Sequence, residues 1–311
     1  MSQLSTVTAD WDRLEVAWQA IESDGTAMSV LPVTNELGEG PLWHPLRHEL
    51  LWFDILHCET YRLDLRLGAT WRRKLPEMAS AAGWIDEDQM IIGAGTGVYR
   101  LPVDAEPSLL ASLPNAASGV RTNDGRVDPW GRLWIGTMGT HSEPGAGVLY
   151  RVEETGNRVE VLKTGVTVPN CLAFSPDRRH GYFTDSHTRR IVRFDLDPES
   201  GAILGENTFA EIDSPAISDG GIVDADGCLW TALWDGGRLV RFTPEGKVDR
   251  TIKLPVRRPT CPAFGGGDFG TLFVTSALRG IDDQELQMHP YSGGLFRIDG
   301  IAIGCPENRF G

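Results

Sequence analysis

The chain has 311 residues, 29 Lys and Arg against 43 Asp and Glu, and a formal net charge of −14 at pH 7. With no basic tract, that balance excludes a partner held through a phosphate backbone, because nucleic-acid affinity comes mostly from clustered Lys and Arg. The 41% hydrophobic and 23% charged residues supply a sizeable core and carry no signature of disorder, and no run approaches the roughly 20 apolar residues that a membrane span needs.

The N-terminus, MSQLSTVTADWDRLEVAW, lacks a cationic start followed by an apolar segment, so a cytoplasmic protein with no membrane partner is expected. Residues 1–27 stand outside the pattern that follows and read as an extension, with WDRLEVAWQAI as a short amphipathic helix packed on the outside. Beyond them short apolar runs recur in chain order: LLWFDI, MIIGAG, RLWIGT, GYFTDS, CLWTAL and TLFVTS. Each follows a turn, written HPLRHE, DEDQ, DPWG, SPDRRH, DADG or GGGDFG, and each precedes a segment such as TYRLDL, GVYRLP, GVLYRV, IVRFDL, RLVRFT or GLFRI. That is an all-β pattern.

The first turn residues are His44, Asp86, Asp128, Ser175, Asp224 and Gly265, with separations of 42, 42, 47, 49 and 41 residues. A four-stranded propeller blade needs roughly 40 to 50. The expected fold is therefore all-β, a single six-bladed β-propeller domain over residues 28–311 with a central metal-binding channel. Pairing of Met28–Val33 with the strand around Gly294–Ile298 would close the ring and leave no long open edge. Five widely spaced cysteines, Cys58, Cys171, Cys228, Cys261 and Cys305, form no CxxC pair. They read as reduced and mostly buried, rather than as a disulfide framework or a thiolate zinc site.

The repeat allows equivalent positions to be compared within one chain. Five residues before each turn stand Glu39, Ala81, Asn123, Asn170, Asp219 and Thr260. In a propeller such positions converge on the axis, so several blades bring a carboxylate or carboxamide to the start of the innermost strand, where small or apolar residues would satisfy the fold. Asp and Asn are also common turn formers, and TNDG or SDGG taken alone reads as a turn. The shared offset, and Glu39 in LGEGPLW, favour a site. An oxygen donor set of this kind suits one hard divalent cation, Ca²⁺ above all or Mg²⁺ or Mn²⁺, with Zn²⁺ and Fe²⁺ also accommodated. Three protein ligands leave coordination positions for water or substrate, as in a catalytic site.

Other motifs carry less. GAGTG at 93–97 opens no helix and reads as a tight turn, DFG at 268–270 lacks any kinase partner motif, and neither GxSxG nor HExxH occurs. His141, just after GTMGT, reads as a loop residue that would hydrogen-bond substrate if its loop covers the channel mouth.

The stretches LGEGPLWHP, RTNDGRVDPWGRLWIGTMG, VPNCLAFSPD with YFTDS, SDGGIVDADGCLWTALWDGGRLVRF and SGGLFRI together resemble the regucalcin/gluconolactonase-like family of sugar-lactone hydrolases over residues 36–298. The resemblance implies a six-bladed propeller with one catalytic divalent ion, held by Glu39 of the GEGP-type motif, Asn170 of the PNG-type motif and Asp219 of the PDG-type motif. It also implies that Arg121 and Asn123 of the RxND motif contact substrate. The sequence departs from the family pattern at Cys171, often Gly, and at Ser218, usually Pro. In the loop after GTM animal members carry a Glu, and His141 or its neighbours occupy that region here.

The implied reaction is hydrolysis of a small-molecule sugar lactone to its aldonic acid. The ion would polarise the carbonyl, Asp219 would act as general base, and Arg121 and Asn123 would fix the substrate. An uncharged, polyhydroxylated substrate is expected from the acidity of the whole protein. Two alternatives remain at this point: a non-catalytic calcium-binding propeller, and a propeller hydrolase acting on a phosphotriester, aryl ester or other lactone. The sequence leaves the oligomeric state open.

Overall fold

A computed structural model describes residues 10–114 and 119–311. Six antiparallel sheets follow one another around a ring, each running outward in sequence from an innermost strand. The innermost strands are Gly38–His44, Ala79–Trp84, Val120–Val127, Pro169–Phe174, Ile217–Val223 and Pro259–Gly265, in blades 1 to 6. Successive innermost strands touch, and that of blade 6 touches that of blade 1, which closes the channel wall. The chain also closes the last blade with its own beginning: Thr26–Leu31 pairs with Leu295–Asp299, Leu31 opposite Leu295 and Val30 opposite Phe296.

The turns explain why these segments fold as blades. In DPWG the Asp128 carboxylate accepts the backbone N–H groups of Trp130 and Arg132, both at 3.0 Å, and the Trp134 indole N–H at 2.9 Å. DADG repeats the device, with Asp224 accepting from Asp226 N and Cys228 N at 3.0 Å and from the Trp230 indole at 2.8 Å. Asp128 and Asp224 are thus structural groups that tie a tight turn to the tryptophan of the next strand. Trp134 and Trp230 occupy corresponding positions, opposite Arg126 and Ile222, and both are fully buried. Covering an aromatic of this size contributes about 4 to 6 kcal/mol before ordering entropy is subtracted.

The N-terminal segment differs from expectation. WDRLEVAWQAI forms no helix: Asp12–Leu14 pairs along the outer edge of blade 1, and Gln19–Ser23 is the outermost strand of blade 6, Ile21 opposite Met28. The sheet of blade 6 therefore begins at Gln19. Two sheet edges with unpaired backbone groups offer this segment a full hydrogen-bond ladder, which outweighs a weak amphipathic helix pattern. Trp11 packs under Arg62 and Arg73, whose guanidinium carbons stand 4.8 and 5.0 Å from its ring centre. Residues 1–9 of the extension lie outside the described residues. One short helix not expected from sequence, Asp283–Met288, is capped by the Asp282 carboxylate, which accepts Glu285 N at 2.8 Å. Among the described residues no helix is long and apolar enough to cross a membrane.

After blade 6 the chain crosses the face of the ring that carries these turns. Ala225 N donates to Ile303 O, the Asn308 amide to Val127 O at 3.0 Å, and Phe310 N to Trp84 O at 2.9 Å, with Phe310 wholly buried beside blades 2 and 3. Between these ties Glu307 forms an ion pair with Arg126, which also donates to Leu172 O at 2.8 Å and Gly221 O at 2.9 Å. One arginine on the axis thereby joins blades 3, 4 and 5 to the tail, and the tail caps that end of the channel.

Candidate active site

The site lies at the other end. Each innermost strand carries a bulge where it meets the channel, as between Glu39 and Leu42, Thr122 and Gly125, Asn170 and Ala173, and Ser218 and Gly221. A bulge bends the strand and re-aims side chains that the pleat would otherwise direct into the blade. Glu39 and Asn170 are the last paired residues before their bulges, and Asn123 and Asp219 sit inside theirs. The residues following Glu39 and Asn170, Gly40 and Cys171, both take a left-handed conformation, at φ 55° and 57°. At Gly40 a Cβ would stand 2.3 Å from Ser80 O, so only glycine fits. Cys171 adopts the same turn with its side chain fully buried against Gly221, which accommodates the departure from glycine there.

Glu39, Asn170 and Asp219 meet with Arg121 and Asn123 in one cavity of ≈ 250 Å³. The carboxyl groups of Glu39 and Asp219 lie close enough to interact directly, and Gly40 N donates to Glu39 Oε2 at 3.0 Å. Asn123 Nδ2 donates to Asn170 Oδ1 and to Pro169 O, both at 2.9 Å, and Asn170 Nδ2 donates to Ser186 Oγ at 2.9 Å. Ser186 Oγ in turn donates to Ser218 O at 2.7 Å, the carbonyl just before Asp219. That chain of donors fixes which end of the Asn170 amide is oxygen, in the cavity that also holds the two carboxyls. Arg121 Nη1 donates to Thr122 O at 2.7 Å and to Asn123 Oδ1 at 2.8 Å. Both amide hydrogens of Asn123 are thus engaged, and it holds its neighbours in place, whereas Arg121 keeps further donors on the cavity wall.

The electrostatics follow from this crowding. Burial, then the charge of Asp124, raises Glu39 to about 8, and burial, then Glu39, lifts Asp219 well above the carboxylate range. Burial pushes Asp124 up to about 6 against the pull of the Leu172 N–H and Arg126. Burial, then the charge of Arg279, lowers Arg121 to about 10. Two touching carboxyls in one cavity cannot both ionise unless a cation lies between them; otherwise they share a proton. Together with the Asn170 amide oxygen they form an all-oxygen donor set that fits a hard divalent ion.

Further wall comes from Met138 and Trp234, at the ends of the second strands of blades 3 and 5, and from Ser142, His187 and Arg279, which follow the second strands of blades 3, 4 and 6. Sequence reasoning missed all five, although the repeat marks their position immediately after RLWIGT, GYFTDS, CLWTAL and TLFVTS. His141 is exposed and outside the lining, and its backbone N–H donates to Glu143 Oε2 at 3.1 Å. Glu143 therefore folds onto its own loop. Ser142, in a left-handed conformation at φ 61°, is the residue of this loop that reaches the cavity.

Residues 37–278 match the family described as SMP-30/Gluconolactonase/LRE-like region, and the chain belongs to that family. It is 39% identical to a 6-deoxy-6-sulfogluconolactonase of Pseudomonas putida over 292 residues, covering 92% of this chain and 98% of that protein. A pentonolactonase of Haloferax volcanii is 32% identical, covering 91% and 98%. Among solved structures, the calcium-binding protein regucalcin of Agrobacterium tumefaciens superposes with a TM-score of 0.86 at 34% identity, over 90% of this chain and 95% of that one.

Proposed function

We propose that the protein hydrolyses a sugar lactone to its aldonic acid, using one divalent cation, Ca²⁺ in first place, held by Glu39, Asn170 and Asp219. The observation that carries this reading is the contact between the Glu39 and Asp219 carboxyls beside the Asn170 amide oxygen, at the floor of a cavity lined with hydrogen-bond donors. The lactonase names of relatives at 32–39% identity support the same reaction. A cavity of ≈ 250 Å³ suits a single sugar ring; pockets for drug-sized ligands run to roughly 300 to 1,000 Å³.

A divalent ion bound there supplies Lewis acidity to the lactone carbonyl and charge compensation to the carboxylates. Asp219, ionised in that setting, accepts a proton from the attacking water as its oxygen bonds to the carbonyl carbon. The acyl–oxygen bond of the ring then breaks, the ring oxygen leaves as a hydroxyl after taking up a proton, and the acyl carbon ends as a carboxylate. Arg121 hydrogen-bonds the ring or its hydroxyls and holds the carbonyl in line with Asp219, which converts orientation into rate. Asn123 keeps Arg121 and Asn170 in register, a positioning role.

Proton release by metal-stripped protein on a panel of aldonolactones, before and after addition of Ca²⁺, Mn²⁺, Zn²⁺ or Mg²⁺, tests the proposal against the spontaneous rate. Turnover that returns with an ion supports it. No turnover with any ion would leave a binding propeller in its place.

A further inference from the structure

The acidity of the whole chain suggests an uncharged substrate, but the cavity has the opposite character. Its two acids, Glu39 and Asp219, are already compensated, by the cation they are built to hold or by the proton they share. Arg121 and Arg279 remain. They come from blades 3 and 6, which face each other across the channel, and both line the cavity.

Arg279 is the unusual one. Its backbone N–H donates to Glu36 O at 2.9 Å, yet among the described residues its guanidinium has no ion pair and no hydrogen-bond acceptor. The arginines nearby are matched: Arg257 pairs with Asp235 and with Glu285, both at 2.8 Å, and Arg258 with Asp235 at 2.8 Å. On the opposite loop Glu143 is occupied by the His141 N–H. In a chain with 43 acids to 29 Lys and Arg, a guanidinium that lines a cavity and pairs with none of them among the described residues leaves its donors for a ligand. The mutual repulsion of Arg121 and Arg279, one cause of the lowered Arg121 value, is relieved by an anion between or beside them.

We infer that the sugar lactone taken by this site carries an anionic substituent, a sulfonate, phosphate or carboxylate remote from the lactone carbonyl, and that Arg279 selects it. The inference rests on the lactonase reading above. With the carbonyl at Glu39, Asn170 and Asp219, the far end of the substrate lies among the loop residues, where Arg279 offers a planar fork of donors suited to such a group. Arg121 adds charge from the opposite wall.

The test is the ratio of kcat/KM for anionic over neutral lactones, measured on the ion-loaded full chain. Gluconolactone is compared with 6-phosphogluconolactone, 6-deoxy-6-sulfogluconolactone and a glucarolactone, which separate the three anion chemistries. We expect at least one anionic lactone to exceed gluconolactone tenfold or more. Arg279→Gln lowers that ratio at least tenfold, chiefly through KM, and Arg279→Lys retains part of it. Calorimetry with the unreactive product 6-phosphogluconate, or its sulfonate counterpart, shows the same loss in Arg279→Gln without any turnover. Turnover of gluconolactone with no anionic preference, or a preference untouched by Arg279→Gln, overturns the inference while the lactonase reading stands. Failure to hydrolyse any lactone with any ion overturns both.

Discussion

Glu39 of blade 1 and Asp219 of blade 5 touch through their carboxyl groups, although 180 residues of chain separate them and blade 6 stands between their strands. Among the described residues neither forms an ion pair with a lysine or arginine, and the charge of Arg121 offsets the burial of Glu39 only in part, so in the metal-free protein this contact favours a held proton at neutral pH.

Ion binding must displace that proton. With Glu39 raised to about 8, calorimetry at pH 7 in buffers of different ionisation enthalpy should register protons released on Ca²⁺ binding. Buffer-independent heats would mean that the pair is already ionised without metal.

The same contact sets a pH dependence of stability. The folded pKa of Glu39 lies above its unfolded value, so the folded metal-free protein retains a proton that the unfolded chain releases between about 4.5 and 8. Its stabilising effect is complete below that window and fades as pH rises through it. Metal-free protein should show a Tm that falls from pH 5 to pH 8, and saturating Ca²⁺ should remove most of that slope. A Tm that rises across this interval in metal-free protein would contradict the assignment.

Asp219→Asn keeps the shape of the side chain and removes its charge. The expected outcome is a loss of turnover of at least ~10³-fold together with weakened ion binding, with the far-ultraviolet circular dichroism of the blades retained. Wild-type activity in this variant would move both base and ligand elsewhere.

Ser186 Oγ accepts from the Asn170 amide, so in the proposed ion site it would hold a ligand without itself touching the ion. Ser186→Ala should weaken ion affinity ~10-fold, as loss of an outer partner of a ligand usually does, while stability falls by no more than about 1–2 kcal/mol. Titration of metal-free variant against wild type reads the difference directly.

Asp128 belongs to the same motif as Asn123 but does different work. Asp128→Ala leaves two backbone N–H groups, the Trp134 indole and the Arg132 guanidinium without their acceptor. It should cost about 3 kcal/mol of stability, measured by denaturant unfolding, while kcat per folded molecule stays at the wild-type level.

That contrast shows how far a sequence reading can reach. The first turn residues announce the repeat because a turn recurs at a blade's spacing, and the offset back from them finds Glu39, Asn123, Asn170 and Asp219. The same offset also lands on Ala81 and on Thr260, whose hydroxyl donates to Gly38 O at 2.6 Å and serves the ring wall. A count from the turn cannot see that the bulge places Glu39 on the ladder and Asn123 within the bulge, because a bulge slides register by one residue without changing composition. Asp12–Leu14 is too short for its period to be read, and its partner strand, Ala69–Lys74, is distant in sequence. Arg279 and His187 lie on loops, where chemistry depends on a path that local pattern does not encode.

The tail from Ile303 to Gly311 has a consequence for traffic. With the Glu307–Arg126 pair lying across the far end, the cavity among the described residues opens beside Ser142, His187, Trp234 and Arg279. If the proposed reaction runs there, lactone, water and aldonate share that threshold, so a departing product stands in the path of the next substrate, and a guanidinium that held one would also delay the other.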